Sequence, residues 1–189
     1  ERDVVFKPPE GKGARGVRIL TEKSNRYDLL FNGRPFARYI SMDELKSTVG
    51  KKEIPPLMVM EYLDGVELKI DPVLQNGEIL TCSVKNRLNF ASGLGMEYEM
   101  IEDQNALDYA KKLLEYLPMD YCIDLSTRGG VLMEINPRIS TYIYAENYCP
   151  PYLSLKLAMG EMSINEVKSF QKNLPIGKKM FRYYGQIDY

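Results

Sequence analysis

The sequence contains no histidine, and that absence removes a large part of enzyme chemistry. A Ser-His-Asp or Cys-His nucleophile, a histidine general base and a histidine-ligated zinc ion are all excluded from this chain. Its three cysteines, Cys82, Cys122 and Cys149, are too distant and irregular for a metal knuckle or a disulfide framework. They read as the reduced, inert thiols of a cytoplasmic protein. No apolar run approaches the ~20 residues that cross a bilayer, and Glu1-Arg2-Asp3 does not open a secretory leader. Basic residues are not in excess either. The net charge is −1 with both signs interspersed, which argues against a nucleic-acid backbone or an anionic membrane as partner. Long linkers, repeats and low-complexity tracts are also missing.

What is present is a chain of 189 residues, 44% apolar and 27% charged, the balance of one compact domain or two small subdomains. Its chemical tools are carboxylates, Lys, Arg, Tyr and Asn. These suit phosphoryl transfer, where positioning and charge neutralisation carry most of the rate. The first residue is not methionine and a strand-like run follows at once, so an upstream domain is expected.

Punctuation by glycine and proline divides the chain. Val4 to Lys7 reads as a strand, Pro8 to Gly16 as a glycine-rich loop and Val17 to Thr21 as a second strand. Asn25 to Arg38 carries Asn32-Gly33, a hairpin signal. Ser41 is placed to cap a helix over Met42 to Val49, with Glu44 completing a capping box. Leu57 to Glu61 has the look of a buried strand. Glu67 to Leu74 and Glu78 to Val84 pair about the turn Asn76-Gly77. The apolar stripe Ala106, Leu107, Ala110, Leu113, Leu114 and Leu117 predicts a helix over Gln104 to Leu117. Tyr121 to Leu125 and Val131 to Ile135 flank a turn over Ser126 to Gly130. A final helix is expected over Tyr152 to Met159, stopped by Gly160. The tyrosines from Tyr142 to Tyr148 and at Tyr183-Tyr184 offer an adhesive patch if exposed, though such residues more often line a core edge.

Three segments carry chemistry. Gly11, Gly13 and Gly16 spell G-x-G-x-x-G, but the loop runs from strand to strand. A dinucleotide fingerprint would open a helix. What remains is a loop whose amides can approach phosphate oxygens, with Lys7 on the incoming strand. Glu67, Lys69 and Asp71 share one strand face by the period of two. Such a face ordinarily lies in solvent. Glu134 and Asn136 share a face at the end of an apolar strand, and Arg138 follows the stiffening Pro137. Carboxylate and amide oxygens are ligands for hard magnesium, and a guanidinium can clamp a phosphoryl group. Asp124 or Asp120 completes the metal site according to the hairpin register, with Asp124 preferred.

In their order these segments resemble the ATP-grasp superfamily, most closely the carbamoyl phosphate synthase large subunit and related carboxylate-amine ligases. The matching pieces are Val4-Val5-Phe6-Lys7-Pro8 with Gly11 to Val17, then Met60 to Asp71, then Leu132 to Ser140, and more weakly Pro150 to Glu161. Coverage is about residues 4 to 161. The resemblance implies an α+β fold of two subdomains with antiparallel sheets around ATP, a lid subdomain over 1–58 and a second over 59–189. It implies ATP and Mg2+, with Mn2+ as the alternative ion. Lys7 and the loop of Gly11, Gly13 and Gly16 would hold phosphates. Met60, Glu61, Tyr62 and Leu63 would meet adenine, and Glu67 the ribose. Glu134 and Asn136 would hold the metal and Arg138 the transferring phosphoryl group, with Arg87 or Lys85 as helper. The implied reaction phosphorylates a carboxylate, carbamate or bicarbonate to an acyl phosphate for attack by an amine or other nucleophile. The implied partners are ATP, a small carboxylate-type substrate and an upstream Rossmann-like domain. Retention of the fold for ATP binding without catalysis is the alternative. Residues 24–38 have no counterpart in the resemblance.

Overall fold

The computed structural model describes residues 2–11, 14–23, 25–32, 38–91, 94–140, 145, 147–183 and 185–186. The chain divides into two compact units, the first Glu1–Leu63 with Ser92–Leu94 and the second Asp64–Ala91 with Gly95–Tyr189.

In the first unit the strand, loop and strand expected at the start are β1 (Val4–Lys7) and β2 (Arg18–Leu20), paired antiparallel. The described residues 25–32 depart from the hairpin expected over Asn25 to Arg38, because Arg26–Phe31 forms a helix, α1. Asn25 Oδ1 accepts from the Tyr27 N–H at 3.0 Å, and the Tyr27 and Phe31 rings meet at 4.7 Å between centroids. An N-terminal cap and an (i, i+4) aromatic pair outweigh the local turn signal. Gly33 lies outside the described residues. β3 (Tyr39–Ile40) precedes α2 (Met42–Val49), where Ser41 Oγ accepts from the Glu44 N–H at 3.1 Å as its N-cap. β4 (Met58–Glu61) completes a sheet of order β3-β2-β1-β4. The strand expected to be buried is therefore an edge strand, with Met58 and Val59 exposed.

The second unit is built on a long hairpin of β5 (Glu67–Gln75) and β6 (Glu78–Ala91), followed by β7 (Leu94–Ile101). Asn76 and Gly77 both have positive φ, 51° and 79°, the two-residue turn that matches strand twist. Helix α3 (Gln104–Tyr116) starts where Asp103 Oδ1 accepts from the Ala106 N–H at 2.9 Å. β8 (Tyr121–Cys122), β9 (Asp124–Arg128) and β10 (Val131–Asn136) follow, then α4 (Pro150–Ala158), α5 (Ile164–Ser169), one 3-10 turn over Phe170–Asn173, and β11 (Lys179–Phe181). The sheet order is β10-β9-β5-β6-β7-β11, with β8 also on β5. The turn expected over 126–130 is shorter, since Ser126 to Arg128 remain in β9 and only Gly129 and Gly130 turn.

Helix α3 buries its stripe of Ala106, Ala110 and Leu114 on Ile70, Leu74, Val84 and Leu125, which all stand on one face of this sheet. A second cluster of Val73, Leu80, Tyr148, Leu153 and Val167 seats α4 and α5 on the other face. Tyr148 is thus core rather than surface and Tyr183 is exposed, while Tyr142, Tyr144 and Tyr184 lie outside the described residues. The cysteines are free, and burial pushes the Cys82 and Cys122 thiols up, which leaves them poor nucleophiles. Among the described residues no helix is long and apolar enough to cross a membrane.

Leu114, 1% exposed, is the deepest of the leucines that α3 places in the core. Leu114→Ala is expected to destabilise the second unit by about 2–5 kcal/mol through lost burial and the cavity left behind. Urea unfolding followed by circular dichroism measures it.

Candidate functional site

The polar residues of the second sheet form three rows across β10, β9, β5 and β6. In the first, Glu67 stands opposite Arg128 and reaches Arg87. In the second, Lys69 stands between Ser126 and Lys85, with Glu134 beyond Ser126. The third holds Asn136 opposite Asp124, and Asp71 opposite Ser83. Solvent was the expected location for Glu67, Lys69 and Asp71, but they are only 7%, 8% and 2% exposed. Pairing explains how charged groups remain there, since a buried charge is held only with partners.

Glu67 is gripped on both oxygens. Arg87 Nη1 bonds Oε1, and Arg128 Nη2 donates to Oε2 at 2.9 Å. Lys85 Nζ lies 2.7 Å from Asp71 Oδ2 in a pair with no exposed surface on the lysine. It also donates to Ser140 Oγ at 3.3 Å, with the Tyr98 ring centroid 5.5 Å away.

Lys69 Nζ sits between Asp124 Oδ1 and Oδ2, at 3.1 and 3.2 Å, bonds Ser126 Oγ, and lies 3.7 Å from Glu134 Oε1. Asn136 Nδ2 bridges Glu134 Oε1 at 3.1 Å and Asp124 Oδ2 at 3.4 Å. Arg138 Nη1 approaches the same Asp124 oxygen at 3.4 Å and donates to the Ile139 carbonyl at 2.9 Å. Burial, the largest influence, holds the Asp124 carboxyl above its ordinary value near 3.8 against the opposing pull of Lys69 and Arg138.

A β-bulge creates this convergence. Gly129 and Gly130, with φ of 55° and 81°, close the β9–β10 hairpin, and an added Cβ on Gly129 would stand 2.5 Å from the Asp64 carbonyl oxygen. From that turn Val131 pairs with Arg128 and Leu132 with Thr127, after which the register shifts. Met133 is the extra residue, so Glu134 faces Ser126 and Asn136 faces Asp124. An unshifted ladder would set Glu134 opposite Leu125 and turn it toward α3. The residue directly opposite Glu134 is Ser126, and Asp124 joins from two residues along the same face. Asp120 is elsewhere, its Oδ1 accepting from the Asn76 N–H at 2.6 Å.

The donor set fits a hard cation. Asp124, Glu134 and Asn136 offer carboxylate and amide oxygens within one cluster, where Asp124 Oδ1 is buried beside Lys69 Nζ, 3.1 Å away. Among the described residues no three Asp, Glu, His or Cys side chains stand together as a complete metal cage. Magnesium needs none, since it is commonly held by one or two carboxylates with phosphate and water completing the octahedron.

The first unit carries the other expected residues. Lys7 ends β1 on the face opposite the buried Phe6. Gly11 and Gly16 are exposed in the loop that follows, Gly16 with φ of 73°, and Gly13 lies outside the described residues. The Tyr62 N–H donates to the Asp3 carbonyl at 3.2 Å, and Glu61 stands opposite Val4. Antiparallel alternation therefore directs the backbone of Met60 into the sheet and that of Glu61 out to the open edge of β4, with Leu63 in the same phase. The Glu61 carboxylate is on the surface, 3.6 Å from Arg2.

The family described as ATP-grasp in the biosynthetic pathway with Ter operon matches residues 53–178. This chain belongs to that ATP-grasp family. The matched span contains every residue of the three rows, and the observed α+β architecture with antiparallel sheets is the one expected from the resemblance. Among solved structures, a biotin carboxylase from Campylobacter jejuni in complex with β,γ-ATP is similar over 91% of this chain and 36% of its own, at 12% identity and a TM-score of 0.47. An L-amino acid ligase from Bacillus licheniformis is similar over 93% and 42%, at 16% and 0.49. A D-alanine–D-alanine ligase from Bacillus anthracis is similar over 91% and 54%, at 16% and 0.42. This ATP-grasp chain thus spans roughly a third to a half of their lengths. No curated protein matches it.

Arg128, Ser126 and the pairing role of Lys69 went unread in the sequence. The signal existed: Asp124, Ser126 and Arg128 alternate at the strand period, but the polar tripeptide before two glycines reads as turn.

Two outcomes test the site as built. Glu67→Ala removes the buried carboxylate that Arg87 and Arg128 share and is expected to cost about 3 kcal/mol, measured by denaturant unfolding. Asp124 contributes stability that is full below its ordinary value near 3.8 and is lost as pH rises through its raised folded value. Asp124→Asn cannot titrate, so the stability difference between parent and variant should shift against the parent as pH rises across that window. Urea midpoints at a series of pH values measure this.

Proposed function

We propose that this chain is the nucleotide-binding portion of an ATP- and Mg2+-dependent ligase, one that phosphorylates a carboxylate-type oxygen to an acyl phosphate for capture by an amine or other nucleophile. The observation that carries the reading is the cluster at the end of β10: Glu134, Asn136, Asp124 and Arg138 on one sheet face. Adenine binding alone requires none of these groups. Bound Mg2+ supplies charge neutralisation for the β- and γ-phosphates, and Glu134 with Asn136 would hold it. Arg138, whose side chain is more than half exposed, can turn a donor toward an equatorial phosphoryl oxygen as charge develops there.

The remaining residues take supporting parts. Lys7 and the amides of the loop bearing Gly11, Gly13 and Gly16 contact phosphates. At the open edge of β4 the Glu61 carbonyl and the Leu63 N–H offer one acceptor and one donor in the same phase, the pattern of an adenine edge. Met60 and Tyr62 flank them. Each Glu67 oxygen keeps a second lone pair beyond its arginine, available to a ribose hydroxyl. Arg87, held by Glu67, sits one row from Glu134 and two from Asn136 and serves as the phosphate helper. Lys85 is committed to Asp71 and is the weaker candidate for that part. The acyl acceptor is a carboxylate, carbamate or bicarbonate, the last two being the carbamoyl phosphate synthase-like form of the reaction. An upstream domain would complete its pocket, and the cytoplasm, with its ATP and Mg2+, is the setting the reading implies.

Calorimetric titration of ATP with Mg2+ into the parent and into Glu134→Ala/Asn136→Ala tests this. The expected result is Mg2+-dependent binding to the parent that the double variant loses. Equal binding to both would overturn the metal-site assignment. Binding without ADP formation in the presence of every acyl acceptor offered to the full-length protein would favour a non-catalytic ATP-binding module instead.

A further inference from the structure

The proposed metal ligands already enclose a cation. Lys69 Nζ contacts both oxygens of Asp124, bonds Ser126 and stands 3.7 Å from Glu134, with only 10% of its side chain exposed. Ser126 fixes its azimuth, because the same hydroxyl also lies 3.5 Å from Glu134 Oε1. The ammonium is thus a built-in part of the carboxylate cluster, set there by the register of β5 against β9.

Charge counting gives the consequence. Asp124 and Glu134 bring two negative charges and Lys69 returns one, so the cluster retains a single unit of negative charge before Arg138 is considered. One divalent ion placed on Glu134 and Asn136 already overcompensates it, and the excess suits a polyphosphate. A second divalent ion would need Asp124, whose two oxygens are engaged by Lys69. It would also stand within a few ångströms of a buried ammonium.

We propose that Lys69 takes the place of a second divalent cation, so that this chain binds one Mg2+ with its nucleotide and leaves Asp124 to the lysine rather than to metal. The inference rests on the nucleotide-site reading above. Lys69 is here a positioning residue that sets metal stoichiometry. Part of the nucleotide's charge is met by a permanent side chain that cannot dissociate.

The test counts Mn2+ by electron paramagnetic resonance, as a stand-in for Mg2+, with a non-hydrolysable ATP analogue. One tightly bound Mn2+ per bound nucleotide is expected for the parent chain, and two would overturn the inference whatever the variants do. Lys69→Gln uncovers Asp124 and should gain a second Mn2+, or bind Mn2+ without nucleotide about tenfold more tightly, the order set by removing a unit charge a few ångströms away. Lys69→Arg restores the charge and should return to one. Asp124→Asn added to Lys69→Gln should abolish the gain. Unchanged count and affinity in a folded Lys69→Gln sinks the inference while sparing the nucleotide-site reading. A parent that binds the nucleotide analogue but no Mn2+ takes both down.

Discussion

A sheet face that is charged and buried at once is the constraint around which the second unit is organised. Lys69, Lys85, Arg87 and Arg128 stand there against Glu67, Asp71 and Asp124, with the more exposed Glu134 and Arg138 at its margin, five positive charges against four negative. An unpaired ion so placed would cost several kcal/mol. Each group is tolerable only because its partner sits one strand or one row away, so strand register becomes an electrostatic matter as well as a packing one. The near-balance leaves a slight positive excess, an environment suited to receiving a polyanion.

The opposite face anchors that arrangement. Ile70, Val84 and Leu125 alternate with Lys69, Lys85 and Asp124 along the same three strands, and α3 packs on the apolar members. Core and site therefore share one backbone, and a rigid core holds the charged rows at their spacing. The first unit works differently. Its sheet leaves the edge of β4 open, and few of its described residues are fully buried.

Much of this was legible in the sequence, for identifiable reasons. Helices α2 and α3 announced themselves through Ser41 and a clean apolar stripe, and the β5–β6 hairpin through Asn76-Gly77, because caps and two-residue turns are local devices. The grouping of Glu134, Asn136 and Arg138 could be read from spacing alone. Burial of Glu67, Lys69 and Asp71 could not, because alternation reveals which residues share a face but not what that face meets. Helix α1 was misread since Asn32-Gly33 is a strong turn signal whose context, a capped aromatic pair just before it, decides the outcome. The partner opposite Glu134 was also beyond reach, being set by a register shift that leaves no mark in composition.

That shift at Met133 gives the gene an unusual point of sensitivity. Residues on either side of it are exposed or half-exposed, and their side chains could be exchanged with modest effect on packing. Their number is another matter. Gaining one in-frame codon between Val131 and Glu134, with the one-residue bulge kept, would turn the strand over, sending the carboxylate of Glu134 toward α3 and an apolar side chain into the charged rows, whereas losing one would remove the bulge and leave Glu134 opposite Ser126. In this stretch an added residue matters more than an exchanged or a missing one.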